Sequence, residues 1–126
     1  MSGIAKPVLI IGAGVAGGIV AEVLAKNKNS EFEPIGFVDD DPEKQKQLYQ
    51  GLPVLGTRED ISALVERYGI KEIIISIPSA PGRVVSQLVE ICQKSKVRLK
   101  ILPGFYDLIT GRIKTSDIRD TKKNGY

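Results

Sequence analysis

The stretch Gly12-Ala-Gly-Val-Ala-Gly17 limits what this chain can fold into more than any other feature. It follows the apolar run Val8-Leu-Ile-Ile11 and opens a segment with helical spacing of apolar residues. Gly12 lets the backbone leave a strand in a tight turn. Gly14 lets another group approach the main chain, and Gly17 lets the following helix lie close to the strand. The first N–H groups of that helix, those of Gly14, Val15 and Ala16, have no partners within the helix and sit at its positive end. An anionic phosphate satisfies both conditions, so the segment predicts a nucleotide site.

An acidic residue in the right place strengthens that reading. Asp39 lies 22 residues after Gly17, where a second strand is expected to end. In a dinucleotide-binding βαβ unit that position accepts hydrogen bonds from the adenosine ribose hydroxyls. Asp40 and Asp41 follow directly. Three consecutive carboxylates repel a 2′-phosphate, which favours NAD over NADP. Asp41, just before Pro42, reads as a solvated turn residue, whereas the role of Asp40 stays open.

The rest of the chain alternates strand and helix patterns from end to end. Residues 8–11 predict a strand buried on both faces. A helix is expected over 15–27, with Ile19, Val20, Val23 and Leu24 inward, then a strand over 34–39 and a helical turn over 44–48. Residues 51–56 read as extended, and Pro53 suits an edge or a strand start. Thr57 and Asp60 form a capping-box variant ahead of a helix whose Ile61, Leu64, Val65 and Tyr68 share a face, and Gly69 is placed to end it. Further elements are expected as a strand over 72–77, a helix over 81–94, a strand over 97–102, a turn or edge over 105–109 and a short strand over 113–118. Right-handed crossovers then give a single α/β domain, Rossmann-like, with a doubly wound parallel sheet over 4–119 and a polar tail over 120–126. Its ligand crevice lies at the carboxyl ends of the strands, where the strand order reverses. Ser76, Ile77, Pro78 and Ser79 end the fourth such strand and line that crevice. Arg83 lies in the next helical turn, within reach of a phosphate or solvated.

Composition narrows the chemistry. The 126 residues carry 42% hydrophobic and 26% charged residues, enough for one soluble globular core. The net charge of +3 resides entirely in residues 112–126, so the fold itself has no basic footprint for nucleic acid. The chain has no histidine, which removes the commonest general base and metal ligand together. Its one cysteine, Cys92, falls on an apolar helix face and reads as structural. No tyrosine has a lysine four residues on, so the Tyr-x-x-x-Lys pair of short-chain dehydrogenases is absent. No catalytic residue and no metal ligand are therefore assigned. No apolar run approaches a membrane span and no signal peptide is visible, so a cytoplasmic location without direct membrane contact is expected.

Five stretches carry a family resemblance. They are Ile11-Gly-Ala-Gly-Val-Ala-Gly17, Gly36-Phe-Val-Asp-Asp-Asp-Pro42, Gly51-Leu-Pro-Val-Leu-Gly-Thr57, Ile74-Ile-Ser-Ile-Pro-Ser79 and Lys100-Ile-Leu-Pro-Gly-Phe-Tyr-Asp-Leu-Ile-Thr-Gly111. From about residue 6 to 119 the chain resembles the N-terminal cytoplasmic nucleotide-binding module of CapD-type polysaccharide biosynthesis proteins, which include nucleotide-sugar 4,6-dehydratases and epimerases. Less closely it resembles the N-terminal modules of sugar acyltransferases and CoA-binding domains. The resemblance implies a parent protein with membrane-spanning helices before the module and a catalytic domain after it. It also implies inner-membrane tethering of that parent and a homodimer. The catalytic motifs of the parent family are absent from these residues. The expected role is a non-catalytic module that binds NAD. Two alternatives stay open: a small NAD-dependent oxidoreductase, and a sensor of UDP-sugar or CoA. The sequence is expected to be either an excised domain or an unusual standalone protein.

Overall fold

A computed structural model describes residues 5–27, 31–77 and 82–101, and the backbone of 119–120. The apolar run after Lys6 forms strand β1 (Lys6–Ile11), and the glycine turn leads into helix α1 (Val15–Lys26). Strand β2 (Phe32–Val38) returns beside β1. Two short strands, β3 (Leu48–Tyr49) and β4 (Leu52–Gly56), form a hairpin before helix α2 (Ile61–Tyr68). Then come β5 (Glu72–Ile75), α3 (Gly82–Lys94), β6 (Arg98–Ile101) and β7 (Arg119–Asp120).

Among the described residues the strands form one seven-stranded sheet in the order β3-β4-β2-β1-β5-β6-β7. The five inner strands are parallel, and the two-residue strands at either edge are antiparallel. The order reverses between β1 and β5, as expected of a doubly wound sheet. Alternate side chains of the parallel strands serve two cores. On one face Val8, Ile10, Phe37 and Ile74 pack under α1. On the other, Leu9, Ile11, Ile73, Ile75 and Leu99 pack under α2 and α3. Each fully buried aliphatic side chain stabilises the fold by about 1.5–3 kcal/mol relative to its exposed state.

Local chemistry sets the element ends. Asp60 Oδ2 accepts from the Thr57 N–H at 2.8 Å, so the expected cap is present. It caps a single 3₁₀ turn (Arg58–Asp60), which runs on into α2. Gly69, at φ 64°, ends that helix in the left-handed conformation. Pro34 sits inside β2, where the register with β1 shifts between Val8 and Leu9. That irregularity accommodates a residue with no N–H to give the ladder.

Several expectations need correction. The buried stripe of α1 is Ala16, Gly17, Val20, Ala21 and Leu24, while Ile19 and Val23 are only half-buried. The helix turns its smallest residues to the sheet and so lies closer to it. Tyr68 is 40% exposed rather than core, and the Arg67 guanidinium lies 5.6 Å from its ring centre. The turn expected over 44–48 lies earlier, as a 3₁₀ turn at Pro42–Lys44. Asp41 caps it by accepting from the Glu43 N–H at 2.9 Å, and Lys46, at φ 66°, stops it. Leu48 and Tyr49 are strand instead. Cys92 is buried, as read from its helix face. The turn or edge over 105–109 and the strand over 113–118 lie outside the described residues.

Candidate functional site

The carboxyl ends of β1, β2 and β5 surround a cleft of about 510 Å³. Gly12, Gly14, Val15, Ala16, Asp39, Lys44, Ser76 and Ile77 line it. Seven of the eleven residues singled out in the sequence therefore line one cleft, and two more lie directly beside it. Gly17 backs the same turn, and Asp40 faces an adjoining cavity of about 140 Å³ that shares Asp39 and Ile77 with the cleft. Pro78 and Ser79 lie outside the described residues.

The three glycines have different tasks. Gly12 has φ +104°, a conformation that side-chain-bearing residues rarely adopt, and a Cβ there would press on Ile77 Cγ1 at 2.9 Å. A Cβ on Gly17 would run into the Gly12 carbonyl. Those two are required by the fold. At Gly14 a Cβ would meet nothing within 4 Å. The chain itself does not demand glycine there, and the open space adjoins the first turn of α1. That is a cradle a side chain would obstruct, and it fits a phosphate group resting on the N–H groups of Gly14, Val15 and Ala16.

Asp39 reaches back into the turn. Its Oδ2 accepts from the Ala13 N–H at 2.8 Å and its Oδ1 from the Asp41 N–H at 2.9 Å. Through these two hydrogen bonds Asp39 ties the glycine turn to the loop after β2. A carboxylate has about four lone-pair sites, which leaves acceptor capacity toward the cleft. Asp40 turns the other way. It accepts from the Arg58 N–H at 2.8 Å and pairs with Arg58 Nε at 2.9 Å. Asp41 is the turn cap described above. The aspartate run thus does not present three bare charges to a ligand, as the sequence suggested, because folding gives each carboxylate a separate partner.

Ser76 is 4% exposed, and its hydroxyl points inward. Oγ donates to the Ile11 carbonyl at 2.7 Å, with the Gly12 carbonyl at 3.2 Å. It holds the end of β1 against the end of β5 and shapes the floor of the cleft. Ile77, 36% exposed, and Val15, 69% exposed, are apolar groups at its rim. Arg83 is exposed on α3.

Lys44 was missing from the sequence reading. Its Nζ donates to the Ala13 carbonyl at 3.3 Å and lies 3.7 Å from Asp39 Oδ2. The Asp-Pro-Glu-Lys run after β2 carried a usable signal. A capped 3₁₀ turn there brings its last residue back over the strand ends.

A family described as a CoA-binding domain matches residues 3–103. The chain is 37% identical over 114 residues to the probable polysaccharide biosynthesis protein EpsC of Bacillus subtilis (strain 168). It is 30% identical over 115 residues to the capsular polysaccharide biosynthesis protein CapD of Staphylococcus aureus. Each match takes in 90% of this chain and 19% of the relative's length. Among solved structures it is similar to UDP-D-quinovosamine 4-dehydrogenase from Vibrio fischeri, with TM-score 0.78 and 31% identity over 92% of this chain and 93% of that one. The fold is also that of RSP in complex with β-NADH, with TM-score 0.66 and 20% identity over 80% of this chain and 47% of that one. No helix among the described residues is long and apolar enough to cross a membrane. The open space over Gly14, the doubly wound sheet and these matches agree: the chain belongs to the CoA-binding domain family, as the nucleotide-binding type of domain that polysaccharide biosynthesis proteins such as EpsC and CapD carry.

Proposed function

We propose that this domain is a nucleotide-binding module, non-catalytic by itself, of a nucleotide-sugar dehydratase or epimerase in polysaccharide biosynthesis, and that its ligand is NAD. The observation that carries the reading is the unobstructed space over Gly14 at the start of α1. There the pyrophosphate is held by the N–H groups of Gly14, Val15 and Ala16. Asp39 uses its remaining lone pairs for the adenosine ribose, and Ile77 forms the opposite wall. NAD supplies hydride-transfer chemistry where a catalytic domain is present, and the residues here bind and orient it. The parent is a cytoplasmic enzyme tethered to the inner membrane and homodimeric, and this domain contacts neither lipid nor nucleic acid.

The RSP structure, whose fold is shared, holds β-NADH, in keeping with a dinucleotide at such a switch point. A second reading, a small NAD-dependent oxidoreductase, is favoured by the dehydrogenase name of the Vibrio fischeri chain, of which this chain covers 93%. Assaying NADH oxidation with UDP-sugars separates the two, since the module reading requires no turnover by this chain alone.

Calorimetric titration with NAD, NADH, NADP, UDP-GlcNAc and CoA tests the ligand. Micromolar binding of NAD or NADH, abolished in Gly14→Val and Asp39→Ala, is the expected result. Tighter binding of CoA or UDP-GlcNAc would replace NAD with a sensor role. Absence of any binding would overturn the module reading.

A further inference from the structure

The cleft holds a positive charge that the glycine pattern does not require. We infer that Lys44 supplies the counter-charge for the ligand's diphosphate, making the site selective for the number of phosphates rather than for the nucleoside alone. The inference rests on the nucleotide reading above and adds a residue to it.

The geometry is specific. Lys44 Nζ lies 3.3 Å from the Ala13 carbonyl and 3.7 Å from Asp39 Oδ2. Its ammonium also sits 6.0 Å from the centre of the Tyr49 ring, which packs edge-on against buried Phe37 at 6.3 Å. The lysine is therefore held from the core side by an aromatic pair and from the loop side by the turn it lines. Its side chain is 30% exposed, so it is only partly hydrated. An ammonium has three N–H donors. The Ala13 carbonyl engages one, and Asp39 Oδ2 at 3.7 Å is an ion-pair partner beyond hydrogen-bond length, so donor capacity remains for an oxygen in the cleft.

Charge balance gives the reason for this placement. Asp39 is needed to hold the turn through Ala13 N–H, yet its negative charge stands beside the place a phosphate must occupy. A helix N-terminus offers only about half an elementary charge, which a neighbouring carboxylate outweighs. Lys44 neutralises Asp39 and leaves the helix N-terminus to act on the phosphates. The flexible four-carbon stem then lets the ammonium move from the Ala13 carbonyl to a phosphate oxygen without displacing the backbone. Arg58, the other cation of this corner, is paired with Asp40 and lines the adjoining cavity.

The test is calorimetry on the full chain with adenosine, AMP, ADP and NAD, at low and high salt, for the wild type, Lys44→Gln and Lys44→Arg. Lys44→Gln keeps a donor for the Ala13 carbonyl and removes the charge. It should weaken ADP and NAD about tenfold or more, the effect of removing a charge-assisted hydrogen bond, with adenosine unchanged and a shallower salt dependence. Lys44→Arg should recover most of the affinity. Equal affinity for ADP in the wild type and Lys44→Gln would overturn the inference while the nucleotide reading stands. So would an equal loss for adenosine and ADP, which would mark Lys44 as a structural tie. If the wild type binds none of the four, the nucleotide reading falls and the inference with it. Thermal melts of each variant confirm that the compared proteins are folded.

Discussion

The two ends of the sheet each hold a largely buried carboxylate, and they treat it differently. At the amino end, Glu72 starts β5 with its side chain 4% exposed. It is paired with Lys100 Nζ at 3.3 Å and approached by Arg98 Nε at 4.0 Å, both from the neighbouring strand β6. The Lys100 ammonium in turn lies 4.9 Å from the centre of the Phe32 ring. At the carboxyl end, Asp39 is 17% exposed and is held chiefly by the N–H groups of two loop residues. The first acid is surrounded by side chains, in a setting that only folding requires. The second is fastened from behind by the backbone and faces the cleft. The same chemical group thus serves stability at one end and readiness for a ligand at the other.

Substitutions at the two ends should separate these roles. The largest effect is expected at the glycine turn. Gly17→Val drives a side chain into the Gly12 carbonyl, so α1 cannot seat on the sheet, and circular dichroism should show loss of the native melt. Next comes the amino end. Glu72→Ala leaves Lys100 unpaired at the sheet surface and should cost about 3 kcal/mol by urea unfolding, with NAD affinity per folded molecule unchanged. Asp39→Ala should cost about 1–2 kcal/mol of stability, by losing the ties to Ala13 and Asp41, and should abolish NAD binding measured by calorimetry. Smallest in stability is Gly14→Val, at less than about 1 kcal/mol, because its side chain meets no neighbour, yet it too should abolish binding. Glu72→Ala that weakened NAD as much as Asp39→Ala would erase the distinction between the ends. Asp39→Ala that unfolded the chain without touching affinity would reverse it.

Much of this arrangement was legible in the sequence. Gly12 and Gly17 announce a strand, a turn and a closely packed helix within a few residues, and Thr57, Asp60 and Gly69 bound α2 by local hydrogen bonding and backbone conformation. Such signals are short-range, so the sequence displays them directly. What escaped was set by distance along the chain or by size. Asp40 and Arg58 are 18 residues apart and meet only because β2 and β4 pair. The buried face of α1 holds the expected Val20 and Leu24, but its other members are alanine and glycine, which carry little hydrophobic signal, so the larger Ile19 and Val23 took their place in the prediction. Leu48–Tyr49 is too short for any alternation to show. Lys44 entered the sequence reading only as the start of the expected turn over 44–48, and the 3₁₀ turn and the Tyr49 ring bring it to the Ala13 carbonyl.

The two-residue antiparallel strands that flank the sheet bear on how the domain behaves at high local concentration. Among the described residues, β3 and β7 offer each edge only a brief row of outward-facing backbone groups, a poor template for pairing with another chain. Copies crowded together should therefore resist ladder-like accretion and fibre growth, and any assembly they join should be built through helices and side chains.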